Sequence, residues 1–255
     1  MIKTKEDKNK FVCFIQARMN STRFPGKILK KIKGKRILDL VIERVSKSKK
    51  ISSIVILTST SFKDNEISKY CEQNSINYFR GSEKDVLSRF YKASKLYNST
   101  HYLRINSDCP FIDWNLIDSA IDIASKDLTL DYVSTILSNT FPIGQHVEVF
   151  KKEALIKNHK FAKSNLEREH VTPFIYNNNK IFKIYNLKSS INLSHIRLTV
   201  DYPKDLLMAE ELLKKCNTNT PKFDEIISIL KKHPQINEIN NEYTKSQYID
   251  LKNDE

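Results

Sequence analysis

The run Phe11-Val12-Cys13-Phe14-Ile15-Gln16 leads directly into Ala17-Arg18-Met19-Asn20-Ser21-Thr22-Arg23-Phe24-Pro25-Gly26-Lys27. Consecutive apolar residues of this kind predict a short strand buried on both faces of a parallel sheet. The segment after it is a loop that carries fixed cations at Arg18, Arg23 and Lys27, hydroxyls at Ser21 and Thr22, and a Pro-Gly turn. Beyond the loop, Arg36 to Ser46 places Ile37, Leu38, Val41, Ile42 and Val45 at a helical period. Strand, loop and helix in this order open a βαβ unit.

The alternation continues outward. Ser53 to Thr58 predicts a second strand, Glu66 to Gln73 a helix, and Ile76 to Arg80 a third strand. Lys84 to Tyr97 predicts a helix, His101 to Asn106 a fourth strand, and Trp114 to Ser125 a helix. The expected fold is α/β, a doubly wound, mostly parallel sheet with helices on both faces and a small irregular insertion in the second half. In that half, Asp131 to Thr135, His146 to Phe150, Ile181 to Leu187 and Ile196 to Val200 read as strands. Glu167 to Asn177 reads as one helix despite Pro173, and Lys204 to Lys215 and Phe223 to Lys232 as two more. The reading gives a polar tail over 1–10, one domain over 11–240, and a polar tail over 241–255.

Composition bounds the classes. Of 255 residues, 29% are charged and 40% hydrophobic, which excludes wholesale disorder. No apolar run approaches the roughly 18 residues of a membrane span, and the start MIKTKEDKNK is too polar for a secretory signal. Cys13, Cys71, Cys109 and Cys216 have no C-x-x-C spacing, which argues against zinc and against a disulfide scaffold. A reducing cytoplasm is the expected setting. The formal charge of +13 suits acidic substrates or a nucleic-acid surface, and general lysine enrichment contributes to it.

Chemistry-bearing residues collect where strands end. The loop from Arg18 to Lys27 can wrap a polyphosphate, with arginine forks, a lysine point charge and backbone amides as donors. It is not a P-loop, and its spacing fits a plain basic turn equally well. Asp108 follows the fourth strand in Arg104-Ile105-Asn106-Ser107-Asp108-Cys109-Pro110, and Asp201 follows Arg197-Leu198-Thr199-Val200 before Pro203. Each aspartate suits a cation, and each suits a helix cap or an Asx-turn. Ligands of open parallel sheets bind at the carboxyl ends of the strands. Basic, hydroxyl and acidic groups on one edge match a nucleoside triphosphate with Mg²⁺.

The segment Gln16 to Lys27 resembles the signature of the cytidylyltransferases that activate acidic sugars, the acylneuraminate and 3-deoxy-manno-octulosonate enzymes, and most closely the spore-coat polysaccharide biosynthesis protein F branch. Gly81 to Phe90, Arg104 to Pro110, Arg168 to Pro173 and Arg197 to Asp201 match in the same order. The resemblance implies that Arg18, Ser21, Arg23 and Lys27 hold the triphosphate of CTP. Gln16, Ala17, Thr58, Ser59, Gly81 and Asp85 would face the nucleotide, and Asp108 and Asp201 would hold Mg²⁺. His146, Glu148, Arg168, Glu169 and His170 would line the acceptor side. Arg18, Arg23, Lys27 and Asp108 would carry catalysis. Ser107 and His146 depart from the family pattern, the latter on the acceptor side. The resemblance further implies a sugar or sugar-phosphate acceptor, a homodimer formed through about 135–195, and no nucleic-acid or membrane partner. A glycosyltransferase would want a D-x-D motif, which is absent around Asp108. A nucleic-acid-binding module would interleave aromatic and basic residues, whereas the aromatics here fall at core spacing.

Overall fold

A computed structural model describes residues 10–244. The chain runs β1 (Phe11–Gln16), the short pair β2 (Lys31–Ile32) and β3 (Lys35–Arg36), α1 (Ile37–Val45), β4 (Ser53–Ser59), α2 (Asn65–Gln73), β5 (Tyr78–Gly81), α3 (Val86–Leu96), β6 (His101–Asn106) and α4 (Trp114–Lys126). It continues through β7 (Tyr132–Ser134), β8 (Glu148–Lys151), α5 (Lys152–Phe161), α6 (Asn165–His170), α7 (Pro173–Tyr176), β9 (Ile184–Asn186), α8 (Pro203–Lys214), α9 (Phe223–Lys232) and α10 (Pro234–Glu238).

Seven strands form the main sheet in the order β5-β4-β1-β6-β8-β7-β9. β1 is central and pairs in parallel with both β4 and β6, Val12 opposite Ser53 and Phe11 opposite His101. Only β8 runs against the others, between β6 and β7. The alternation of β1 explains its centrality. Phe11, Cys13 and Ile15 enter one buried cluster, with residues of α1, α2 and α4. Val12 and Phe14 enter the other, with residues of α3 and α5. Burying a side chain such as Phe14 on this scale contributes about 1.5–3 kcal/mol. The winding moves from β1 to β4 and β5, then returns to β6 on the far side of β1. This reversal opens a crevice at the carboxyl ends of β1 and β6.

The structure departs from the expected elements in several places, most of them in the second half. Ile196 to Val200 is extended but is not a strand of the sheet; one bridge joins Arg197 to Ile143. Its apolar side chains pack in a third cluster with α8 and α9 instead of between strands. Gly144 permits that approach, because a Cβ there would meet the Thr199 nitrogen at 2.8 Å. The helix expected over Glu167 to Asn177 is two helices, α6 and α7. Between them Val171 has φ 74° and ψ −53°, and Pro173 opens the second helix. The β2–β3 pair and its turn at Lys33-Gly34, both at positive φ, were not expected, and neither were α5 and α10. At the start of the expected polar tail Thr244 is buried, and the Tyr243 ring stacks on Tyr202 at 3.9 Å. The rest of both expected tails lies outside the described residues. Among the described residues no helix is long and apolar enough to cross a membrane.

Candidate active site

The crevice at the β1–β6 reversal holds a cavity of about 500 Å³. One wall is the loop after β1, with Gln16, Arg18, Ser21, Thr22, Arg23 and Lys27. Local bonds fix this loop. Ser21 and Gly26 both donate backbone N–H groups to the Met19 carbonyl, and Ala17 donates to Leu57. From beneath, buried Asp64 accepts the Met19 N–H at 2.7 Å and the Ser59 N–H at 3.1 Å, along with the Ser59 hydroxyl. The cations of the loop therefore stand on a braced backbone, and holding charge in place without reorganisation is what an electrostatic site requires.

The floor of the cavity is an ion-pair cluster. Lys27 Nζ donates to Asp108 Oδ2 and to Asp201 Oδ1, both at 2.6 Å. Arg23 lies 3.2 Å from Asp201 Oδ1, and Arg197 donates to Asp201 Oδ2 at 2.9 Å. Burial works against the Lys27 ammonium, but the two carboxylates more than offset it and hold its pKa above the ordinary lysine value. For Asp201, burial pushes the carboxyl up, and Lys27, Arg23 and Arg197 together bring it below the usual carboxylate range.

The capping role open to each aspartate goes to other residues. Asp113 caps α4 by accepting the Asn115 N–H. Asp205 Oδ2 accepts the N–H groups of Asp201 and Tyr202 at the start of α8, at 2.8 and 3.0 Å. Among the described residues neither Asp108 nor Asp201 accepts a backbone amide in this way. Asp201 meets cations with both oxygens and Asp108 with Oδ2, while Asp108 Oδ1 lies 3.5 Å from the Cys109 thiol, and both carboxylates converge on the same ammonium. That convergence fits a cation site. Among the described residues no group of three or more His, Cys, Asp or Glu side chains surrounds a metal position. A divalent ion here would draw its remaining ligands from phosphate and water, as Mg²⁺ characteristically does.

The opposite wall holds Arg104, Asn106, His146 and His170. Arg104 stands on β6, donates Nε to Gln16 Oε1 at 3.2 Å, and pairs through Nη1 with Glu148. Glu148 is 2% exposed and also accepts from Tyr132 at 2.5 Å and from Thr172. Its part is to fix Arg104, and it has no face on the cavity. Loss of solvent around the ring holds His146 below the ordinary histidine value, and partial desolvation shifts the more exposed His170 in the same direction. The His170 backbone is set by the turn at Val171, where the Thr172 N–H donates to the His170 carbonyl at 2.9 Å. With φ 74°, this is the rare positive-φ γ-turn, a strained form.

Other expected residues fall behind the site. Ala17 is buried at the foot of the loop. Thr58 and Ser59 are wholly buried because β4 runs on through Ser59, so its loop begins later than expected. Gly81 is buried at the end of β5. Asp85 accepts the Ser88 N–H at the start of α3 and is held bidentately by Arg168 at 3.0 and 2.6 Å, which turns both residues away from the cavity. Glu169 sits 3.7 Å from Arg18, with both side chains half exposed. Residues not assigned a role from sequence are Arg104, Asp64, Asp205 and Arg197. Arg104 had a signal in its place two residues before Asn106 on a strand end. Asp64 and Asp205 act across folded contacts that no local pattern announces.

The cytidylyltransferase family model matches residues 12–244. The chain is 40% identical over 244 residues to the uncharacterized protein MJ1063 of Methanocaldococcus jannaschii, covering 95% of this chain and 99% of that one. It is 32% identical to the spore coat polysaccharide biosynthesis protein SpsF of Bacillus subtilis, over 89% of this chain and 96% of the relative. A cytidylyltransferase structure from Leptospira borgpetersenii superposes with a TM-score of 0.84 at 27% identity, covering 91% of this chain and 97% of that one. The family model, spanning nearly the whole chain, and the identity to SpsF along most of its length make this chain a member of the cytidylyltransferase family and a cytidylyltransferase enzyme.

Proposed function

We propose that the enzyme transfers CMP from CTP to an acidic sugar or sugar phosphate, releasing pyrophosphate, in the synthesis of a surface polysaccharide or related glycan. The observation that carries this reading is the division of the cavity: three loop cations on one side, Arg104 with the imidazoles of His146 and His170 on the other, and Asp108 and Asp201 on the floor. The match to SpsF supports the polysaccharide setting. Arg18, Arg23 and Lys27 bind the triphosphate, and Ser21 adds a hydroxyl. Arg104, oriented by Glu148, presents its fork to the acceptor's anionic group, with His146 and His170 beside it. An acceptor oxygen then attacks the α-phosphorus, and the loop cations take up charge on the departing pyrophosphate. Asp108 and Asp201 would hold Mg²⁺, which when bound supplies charge neutralisation at the phosphates. The reading includes a homodimer through the 135–195 region and action in the cytoplasm.

A pyrophosphate-release panel tests it, pairing each of the four nucleoside triphosphates with 2-keto-3-deoxy acid sugars and sugar 1-phosphates. Release above background with CTP and an anionic acceptor is expected. Release with ATP, GTP or UTP in preference to CTP, or with neutral sugars alone, would overturn the assignment.

A further inference from the structure

We propose that Lys27 is a tethered counter-cation that holds Asp108 and Asp201 together before the nucleotide binds, and that it keeps a free divalent cation out of their grip until a triphosphate draws the lysine away. The proposal rests on the reading of this pair as the metal ligands. Its basis is the position of one atom. Lys27 Nζ lies 2.6 Å from an oxygen of each aspartate, on a residue only 7% exposed. A metal ion bridging the two carboxylates and an ammonium bridging them compete for the same oxygens.

The other cations do not share this role. Arg197 is anchored on its far side by buried Asp205, at 2.9 Å through Nε and 3.2 Å through Nη2, and stays with Asp201 whatever else binds. Of the two aspartates Arg23 meets Asp201 and not Asp108 among the described contacts, from an exposed position over the Tyr202 ring. Among the described residues Asp108 has no cationic partner besides Lys27. Lys27 is therefore the one cation shared by the two carboxylates, and its departure frees Asp108 and leaves Asp201 with only its arginine partners.

Departure is feasible because the backbone is fixed and the stem is not. Lys27 begins a short helical turn after Gly26, and four methylenes carry its ammonium as a compact, movable point charge. The loop cations Arg18 and Arg23 line the same cavity, so a triphosphate they attract arrives within reach of that stem. Moving the ammonium to phosphate oxygens and admitting a divalent ion to the aspartates leaves the phosphates and the carboxylates each facing a cation. Metal affinity and nucleotide affinity are then coupled through one side chain.

Binding of Mn²⁺ alone, read from the free-ion signal in electron paramagnetic resonance, tests this without turnover. The wild-type protein should take up little Mn²⁺ in the absence of nucleotide. Lys27→Met should bind one Mn²⁺ about tenfold or more tightly, and its melting temperature should rise with added Mn²⁺. Adding Asp108→Asn to that variant should abolish the uptake. Lys27→Gln, which keeps a polar tip without the charge, serves the same measurement if the methionine variant does not fold. Equal uptake by wild type and the variants without nucleotide would overturn the proposal while leaving the metal site standing. Uptake by neither without nucleotide would overturn it as well, and no protein-dependent Mn²⁺ signal even with CTP would remove the metal reading itself.

Discussion

Asp108 and Asp205 lie near one another in function and apart in work. Asp108 faces the cavity and meets the Lys27 ammonium at 2.6 Å. Asp205 is fully buried, holds Arg197, takes the Asp201 and Tyr202 amides and accepts from Asn240 at 2.8 Å. Asp108→Asn keeps the shape and removes the charge, so kcat should fall roughly 10²–10³-fold, the typical cost of losing one preorganised electrostatic group. Its melting temperature should stay within a few degrees of wild type. Asp205→Ala leaves buried Arg197 short of its principal partner and should destabilise by about 3–5 kcal/mol. Thermal melts and pyrophosphate release on both variants check the contrast, and normal turnover in Asp108→Asn would refute the role given to it. At this scale the positions of the loop cations and of Asp108 were legible in sequence because they follow strand ends, and that of Asp201 because it follows an extended apolar segment. Asp64 was not, since its bond to Met19 spans 45 residues and exists only once β4 lies beside β1.

The joint between α6 and α7 shows what a pattern conceals. Arg168 to Pro173 was legible as a motif, but its apolar spacing read as a continuous helix. The break depends on the backbone of Val171, a β-branched residue at φ 74°, which no propensity favours. Burial and one side chain hold it there. Val171 is fully buried, and Asn158 of α5 donates Nδ2 to its carbonyl at 2.6 Å. Strain of this kind costs on the order of 1–3 kcal/mol and persists only when its surroundings over-determine it. Substitutions should then invert the usual order. At an ordinary buried site Gly is worse than Ala by about 0.5–1 kcal/mol. Here Val171→Ala loses packing and keeps the strain, whereas Val171→Gly loses packing and releases it. Denaturant melts should find the glycine variant the more stable of the two, and the ordinary order would show that the turn is unstrained. The segment Ile196 to Val200 teaches the converse. Its alternation was legible as extended chain, but whether extended chain joins a sheet is decided by its neighbours. Gly144 lets it approach Ile143, and α8 and α9 take its apolar side chains.

Across the whole molecule, the parallel core from β1 to β6 was legible because each strand is a short apolar run followed by a strongly periodic helix. The winding reversal then placed the site. The same burial that made the strands readable also stores a response to acid. His101 begins β6 beside β1, stacks on Phe11 at a ring separation of 4.8 Å, and is 4% exposed. Burial, with Lys151 adding to it and Glu153 opposing, lowers its pKa from 6.5 to about 4. Above pH 6.5 the ring is neutral whether the chain is folded or not, and it contributes no pH dependence. Between pH 6.5 and 4 the unfolded chain binds a proton that the folded one refuses, so stability falls as pH falls. Below pH 4 both forms are protonated and the loss levels off at about 3 kcal/mol, because a tenfold difference in proton affinity is worth about 1.4 kcal/mol. Asp85 and Asp201, both held below the usual carboxylate range, act in the same direction, but only as the pH falls through and below that range. Loss of stability should therefore begin in the histidine range. His101→Phe keeps an aromatic ring against Phe11 and removes the titrating group. Urea melts at pH 7, 5.5 and 4.5 should show a shallower decline for this variant than for wild type, approaching one proton less in the slope. Parallel declines in the two proteins would mean that His101 takes up its proton in the folded state as readily as in the unfolded one.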